Sequence, residues 1–210
     1  MSEPPSLLIL TDRHACAAAG HVLRDVLSAA LSAGARDVLF REKDLDRSAR
    51  ARLARDVLAD VSSAGGTMRV ASDVALAVEL GGLPVHLAAS DPAPHGGDLA
   101  WGRSCHDDTD VHRARDEGAN YVTVSPVFAS ASKPGYGPVL GERGLDRLIA
   151  SSGGTPVIAL GGVTADNCAR CMTLGARGVA AMSYVMSAAD PAGATARLLG
   201  ALGGQLPAGV

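Results

Sequence analysis

Three phrases in this chain share one design: Gly34-Ala35-Arg36-Asp37-Val38-Leu39-Phe40, Gly118-Ala119-Asn120-Tyr121-Val122-Thr123-Val124 and Gly175-Ala176-Arg177-Gly178-Val179-Ala180-Ala181. Each sets a glycine just past an alanine- or leucine-rich helical pattern, where a left-handed residue stops the helix, and then continues as a short apolar strand. Gly82-Leu83-Pro84-Val85-His86-Leu87 and Gly154-Thr155-Pro156-Val157-Ile158-Ala159 are variants, with proline at the start of the strand where a missing donor is tolerated. A joint that turns helix into buried strand, used again and again, leaves few folds open. Strands separated by helices pair in parallel, with right-handed crossovers.

The pattern predicts strands at Leu7 to Leu10, Asp37 to Phe40, Met68 to Val70, Leu83 to Leu87, Asp98 to Trp101, Tyr121 to Val124, Val157 to Leu160 and Gly178 to Ala181. Helical patterns fall between them, as at Arg47 to Val61, where Leu53, Val57 and Val61 share one face. So many units in 210 residues suit an α/β fold, a single-domain (β/α)8 TIM barrel over residues 1–210 with tails at 1–5 and 204–210. A Rossmann or flavodoxin-like sheet needs fewer units, and no Gly-x-Gly-x-x-Gly follows an early strand.

A net charge of -3 with both signs mixed offers no basic face for nucleic acid, so a small polar ligand is the expected partner. Arg, Asp or Gly interrupts every apolar window, which excludes a membrane-spanning helix. The start, Met1-Ser2-Glu3-Pro4-Pro5, lacks the features of a signal peptide, and a cytoplasmic protein is expected. The 4 cysteines, Cys16, Cys105, Cys168 and Cys171, form no disulfide framework, and the Cys168-x-x-Cys171 pair reads as small buried helix residues.

Function in such a barrel gathers at the C-terminal ends of the strands. There Arg41 and Lys43 are poised to hold an anion, with Glu42 turned to the opposite side, whereas Arg47, Arg50, Arg52 and Arg55 read as the solvated face of a helix. His106, just beyond a strand in a polar turn, is the candidate acid/base; His86 reads as a hydrogen-bonded packing residue and His112 as helix surface. Gly161-Gly162 and Met182-Ser183 end strands just before helical patterns, the arrangement of a phosphate cup. The long segment Ser125 to Gly141 has the composition of a lid that could carry Lys133 onto a bound phosphate.

Taken in order, Thr11-Asp12-Arg13, Arg41-Glu42-Lys43-Asp44, Val85-His86-Leu87, Gly102-Arg103-Ser104, Pro126-Val127-Phe128 with Ser132-Lys133, Ala159-Leu160-Gly161-Gly162-Val163 and Ser183 resemble the superfamily of thiamine phosphate synthase and thiazole tautomerase. The synthase branch implies magnesium on two aspartates and a glutamine beside the Arg-Glu-Lys run. Here the glutamine position reads Leu39, the Asn-Asp after the third strand reads Ala71-Ser72 with Asp73 one place late, and only Asp91 stands where expected. The tautomerase branch carries Gly-Arg-Ser-x-His, matched by Gly102-Arg103-Ser104-Cys105-His106.

The resemblance therefore implies, first, an isomerase acting on a phosphorylated thiazole: His106 moves the proton without a cofactor. Ser104, with nearby cations such as Arg103, fixes the carboxylate, and Gly161, Gly162, Met182 and Ser183 take the phosphate. The alternative it implies is the synthase, a transferase using Mg2+ on Asp91 and Asp73; a third is a non-catalytic binder of thiazole or thiamine phosphates. It also suggests a homodimer.

Overall fold

The apolar runs form strands β1 Leu7–Leu10, β2 Asp37–Phe40, β3 Thr67–Ala71, β4 Val85–Leu87, β5 Trp101–Cys105, β6 Tyr121–Val124, β7 Val157–Leu160 and β8 Gly178–Ala181. They pair in parallel in chain order, and β8 returns to β1 with Ala180 opposite Leu8, so the sheet closes on itself. The structure, a computed structural model, describes residues 4–94, 99–130 and 138–203. Helices α1 Arg13–Ala18, α2 Leu23–Ser32, α3 Arg47–Ser63, α4 Val74–Glu79, α5 Asp108–Asp116, α6 Gly141–Ser151, α7 Cys168–Thr173, α8 Ser183–Met186 and α9 Pro191–Gly203 carry the chain back outside. This is the single-domain (β/α)8 barrel that the repeated joint predicts. Gly34, Gly118 and Gly175 make the joint as expected, with φ of 110°, 84° and 102°.

Alternation along each strand sorts the side chains into two layers. Leu8, Leu10, Leu39, Ile158 and Ala180 fill the interior. Their neighbours Leu7, Ile9, Val38 and Phe40 face outward and pack with Val57, Val61, Leu145 and Leu148 of the helices. Each fully buried aliphatic side chain contributes about 1.5–3 kcal/mol. The interior also holds charge: Arg69, 2% exposed, pairs with Asp37 and lies 5.8 Å from the centroid of the Tyr121 ring. Tyr121 stacks on His86 and fills the space beside Gly102, where a Cβ would run into its ring.

One strand departs from expectation. The segment placed at Asp98 to Trp101 begins at Trp101 and runs to Cys105, so Arg103 and Ser104 lie within a strand instead of a turn. Polar side chains disguise it: Ser104 faces the cavity, and Arg103 is buried with a carboxylate partner on the helix side. Smaller shifts put the start of β4 at Val85, extend β3 to Thr67–Ala71 and lengthen α3 to Ser63. Among the described residues no helix is long and apolar enough to cross a membrane. All of the cysteines are free and buried, and burial pushes the Cys105 thiol up to about 12 and Cys171 to about 11. Such thiols are packing groups with little nucleophilic character.

Candidate active site

At the C-terminal end of the strands lies a cavity of about 1150 Å³ with two unlike walls. Leu10, Leu39, Ala71, Leu160 and Ala180 make one wall apolar, because β1, β2, β3, β7 and β8 send aliphatic side chains inward. The facing wall, from β4, β5 and β6, carries His86, Ser104 and Thr123. His86 binds the Tyr121 hydroxyl through Nδ1 at 3.0 Å; its Nε2 lies 3.0 Å from Ser104 Oγ and 3.3 Å from Thr123 Oγ1. Burial pushes its pKa down to about 3, and the charges of Lys43, Arg69 and Arg103 add to the lowering against Asp91. His86 is therefore neutral at physiological pH and acts as a fixed brace for two hydroxyls that face the ligand space.

His106 stands one residue beyond β5, on the cavity side of its rim. Its backbone N–H donates to Asp110 Oδ2 at 2.9 Å, and its ring Nδ1 lies 2.7 Å from the Ser125 carbonyl oxygen. A carbonyl can only accept, so Nδ1 carries the proton and Nε2 of the neutral ring keeps its lone pair. An imidazole fixed in that tautomer is ready to accept a proton. Ser104 lies two residues earlier, within β5 and also lining the cavity, so hydroxyl and imidazole both face the ligand space.

The end of β2 supplies positive charge. Arg41 and Lys43 line the cavity, while Glu42, 2% exposed, turns away and accepts from the Arg13 guanidinium at 3.2 Å. Among the described residues no carboxylate pairs with Arg41. Lys43 Nζ donates to Ser72 Oγ at 2.7 Å. Burial pushes the Lys43 pKa down; Asp91 opposes that shift, and Arg41 and Arg50 add to it. Burial acts to raise the Asp91 pKa, but the hydrogen bonds from Ser72 and Ala88 N–H, with the charges of Lys43 and Arg103, hold it below the ordinary carboxylate value.

Several expected residues take other roles. Arg103 does not reach the cavity: the odd positions of β5 face the helices, and its guanidinium, 0% exposed, pairs with Glu117 at 2.6 Å and donates to the carbonyls of Ala89 and Asp91. Arg50, expected on a solvated helix face, is 12% exposed; it pairs with Asp73 at 2.9 Å and bonds the Ala71 carbonyl at 2.7 Å. Gly161, Gly162, Met182 and Ser183 do line the cavity, but the two halves of the expected cup differ. Ser183 opens α8 directly, whereas α7 begins only at Cys168, so Gly161-Gly162 form a loop with no helix at its end. That loop requires glycine for its own reasons: φ is +92° and +63°, and a Cβ on Gly161 would meet Pro126 at 2.8 Å. Asn167 braces it, donating to the Gly162 carbonyl at 2.9 Å and accepting from Thr164 N–H. Lys133 lies outside the described residues, as do residues 131–137 of the expected lid.

Thr123 and Asn167 escaped sequence reading. For Thr123 a signal existed, since it lies two residues after Tyr121 and so on the same face of β6. The residues do not fit the magnesium ion that the synthase resemblance implies. Asp73 caps α4 by accepting from Leu76 N–H at 2.9 Å and is held by Arg50, and among the described residues no aspartate or glutamate lines the cavity. Among the described residues no group of three or more His, Cys, Asp or Glu could hold a metal ion.

Comparison with known proteins adds the relationship. The TMP-TENI family, thiamine monophosphate synthase, matches residues 7–185. The thiamine-phosphate synthase of Roseiflexus sp. (strain RS-1) is 36% identical over 198 residues, 90% of this chain and 82% of that protein. The thiamine biosynthesis bifunctional protein ThiM/ThiE of Symbiobacterium thermophilum is 34% identical over 95% of this chain, which spans 41% of that longer protein. Among solved structures, the thiamine phosphate pyrophosphorylase from Pyrococcus furiosus superposes with a TM-score of 0.83 over 96% of this chain and 97% of the other; at 24% identity this is a likeness of fold. With a family match across the whole barrel and relatives above 30% identity along nearly all of its length, the chain belongs to the thiamine monophosphate synthase family.

Proposed function

We propose that the protein is a thiamine-phosphate synthase, joining hydroxymethylpyrimidine diphosphate to a thiazole phosphate. The carrying observation is the 36% identity over 90% of the chain to a relative of that name, which favours coupling over the isomerase expected first. In this reading the thiazole nitrogen attacks the pyrimidine methylene carbon. A C–N bond forms, the C–O bond breaks, and the electron pair leaves with pyrophosphate. Arg41, free of any carboxylate among the described residues, and Lys43 take the leaving group. The loop at Gly161-Gly162 and the start of α8 at Met182-Ser183 take the thiazole phosphate, and Lys133 is assigned to the diphosphate. Ser104 and Thr123, held by His86, orient the rings against the apolar wall. Incubation with both substrates should release pyrophosphate, and Arg41→Gln should slow that release about a hundredfold. A protein that forms no pyrophosphate is not a synthase.

One observation favours a second reading, the thiazole tautomerase. His106 holds its Nε2 lone pair at the cavity rim, the tautomer that proton abstraction needs, and Asp73 is committed elsewhere. Incubation with the non-aromatic thiazole carboxylate phosphate alone separates the two: aromatisation without pyrimidine, abolished in His106→Asn, assigns the tautomerase.

A further inference from the structure

We infer that this chain holds the anion at the β2–β4 end of its cavity with a resident lysine in place of a divalent cation. The inference rests on the reading that the cavity takes phosphorylated substrates. It starts from Ser72, the one non-glycine among the described residues with a left-handed backbone, φ 58°. That conformation is costly for serine and persists only where the surroundings impose it. Here they do: Ser72 N–H donates to the His86 carbonyl at 2.9 Å, and its hydroxyl accepts from Lys43 Nζ at 2.7 Å.

Every group that a magnesium ion would recruit at this end is already engaged. Asp73 is turned back onto α4 and Arg50. Asp91 accepts from Ala88 N–H at 2.8 Å, while Arg103 and Arg113 hold its backbone carbonyl from the other side. Magnesium needs an octahedron of oxygens and repels nearby cations, and here the described lining presents the ammonium of Lys43 and the guanidinium of Arg41 with no carboxylate among them. Lys43, anchored through Ser72, supplies fixed positive charge at that end, and Arg41 beside it offers a planar fork. An anion arriving there meets two cations and no vacancy for a third.

The full chain tests this with inorganic pyrophosphate and Mn2+ as probes. Calorimetric titration in EDTA should show pyrophosphate binding, weakened at least about tenfold by Lys43→Gln and restored by Lys43→Arg. Mn2+ added to the wild type should stay free by its paramagnetic resonance signal. Mn2+ bound by the wild type but not by Asp91→Asn overturns the inference, as does an unchanged affinity in Lys43→Gln. Pyrophosphate binding that appears only with Mg2+ overturns the inference and spares the synthase reading. Binding under neither condition removes the anion site itself, and both fall.

Discussion

Single residues in this cavity act through the state in which the fold fixes them. His86 is the clearest case, because burial holds its pKa at about 3 against an ordinary 6.5. The unfolded chain takes up a proton below pH 6.5 that the folded chain refuses until about pH 3, so folding loses stability as pH falls through that window. We expect the denaturation midpoint to drop between pH 6.5 and 5, by up to about 1.4 kcal/mol per unit, and His86→Gln to flatten that slope. An unchanged slope in the variant would assign the loss to other groups. His106 is fixed differently: the Ser125 carbonyl selects its tautomer, a constraint from the residue just past β6 that its own neighbours in sequence do not announce. Residue type and strand-end position made Arg41, Lys43 and His106 readable in advance; their hydrogen-bond partners were not.

Among the elements, the connection after β4 shows how a site is held from behind. Arg103 on β5 and Arg113 on α5 both donate to the carbonyls of Ala89 and Asp91, and both pair with Glu117. Arg103 also lies over the Trp101 ring, 5.3 Å from its centroid. Two arginines on one carboxylate form a clamp that sets where Asp91 meets Ser72. Arg103→Met should cost roughly 2–4 kcal/mol, because it removes a fully buried charged donor from two carbonyls and from Glu117. Amide exchange should then quicken across residues 88–94 and stay slow in β5 itself; unaltered exchange there would mean that the clamp does not hold the loop. The sequence shows an arginine beside a serine and suggests a ligand contact. Only the parity of β5 reveals that the two side chains face opposite layers.

The whole molecule depends on closure of the sheet. β8 lies so near the segment leading into β1 that a Cβ on Gly178 would run into the Pro5 and Ser6 carbonyl oxygens, beside the bond from Val179 N–H to Ser6. Gly178→Ala should therefore destabilise the barrel by about 3 kcal/mol, read as a lower urea midpoint. An equivalent alanine at Gly200, which has open space around it, should leave the midpoint unchanged or raise it slightly. Equal effects at the two positions would show that closure is not the sensitive point.

The repeated glycine joint, the apolar runs and their spacing determined the barrel, because helix stops and strand periodicity are local and leave one economical way to bury every strand. The same logic placed cations and an imidazole at the rim. What only the tertiary structure decided were the partnerships: Arg50 with Asp73, Arg103 with Glu117, Lys43 with Ser72. The first and last of these join different units of the barrel and the second ties a strand to the far end of its own helix, so which charges are neutralised and which are left for a ligand is settled only when the units have packed together.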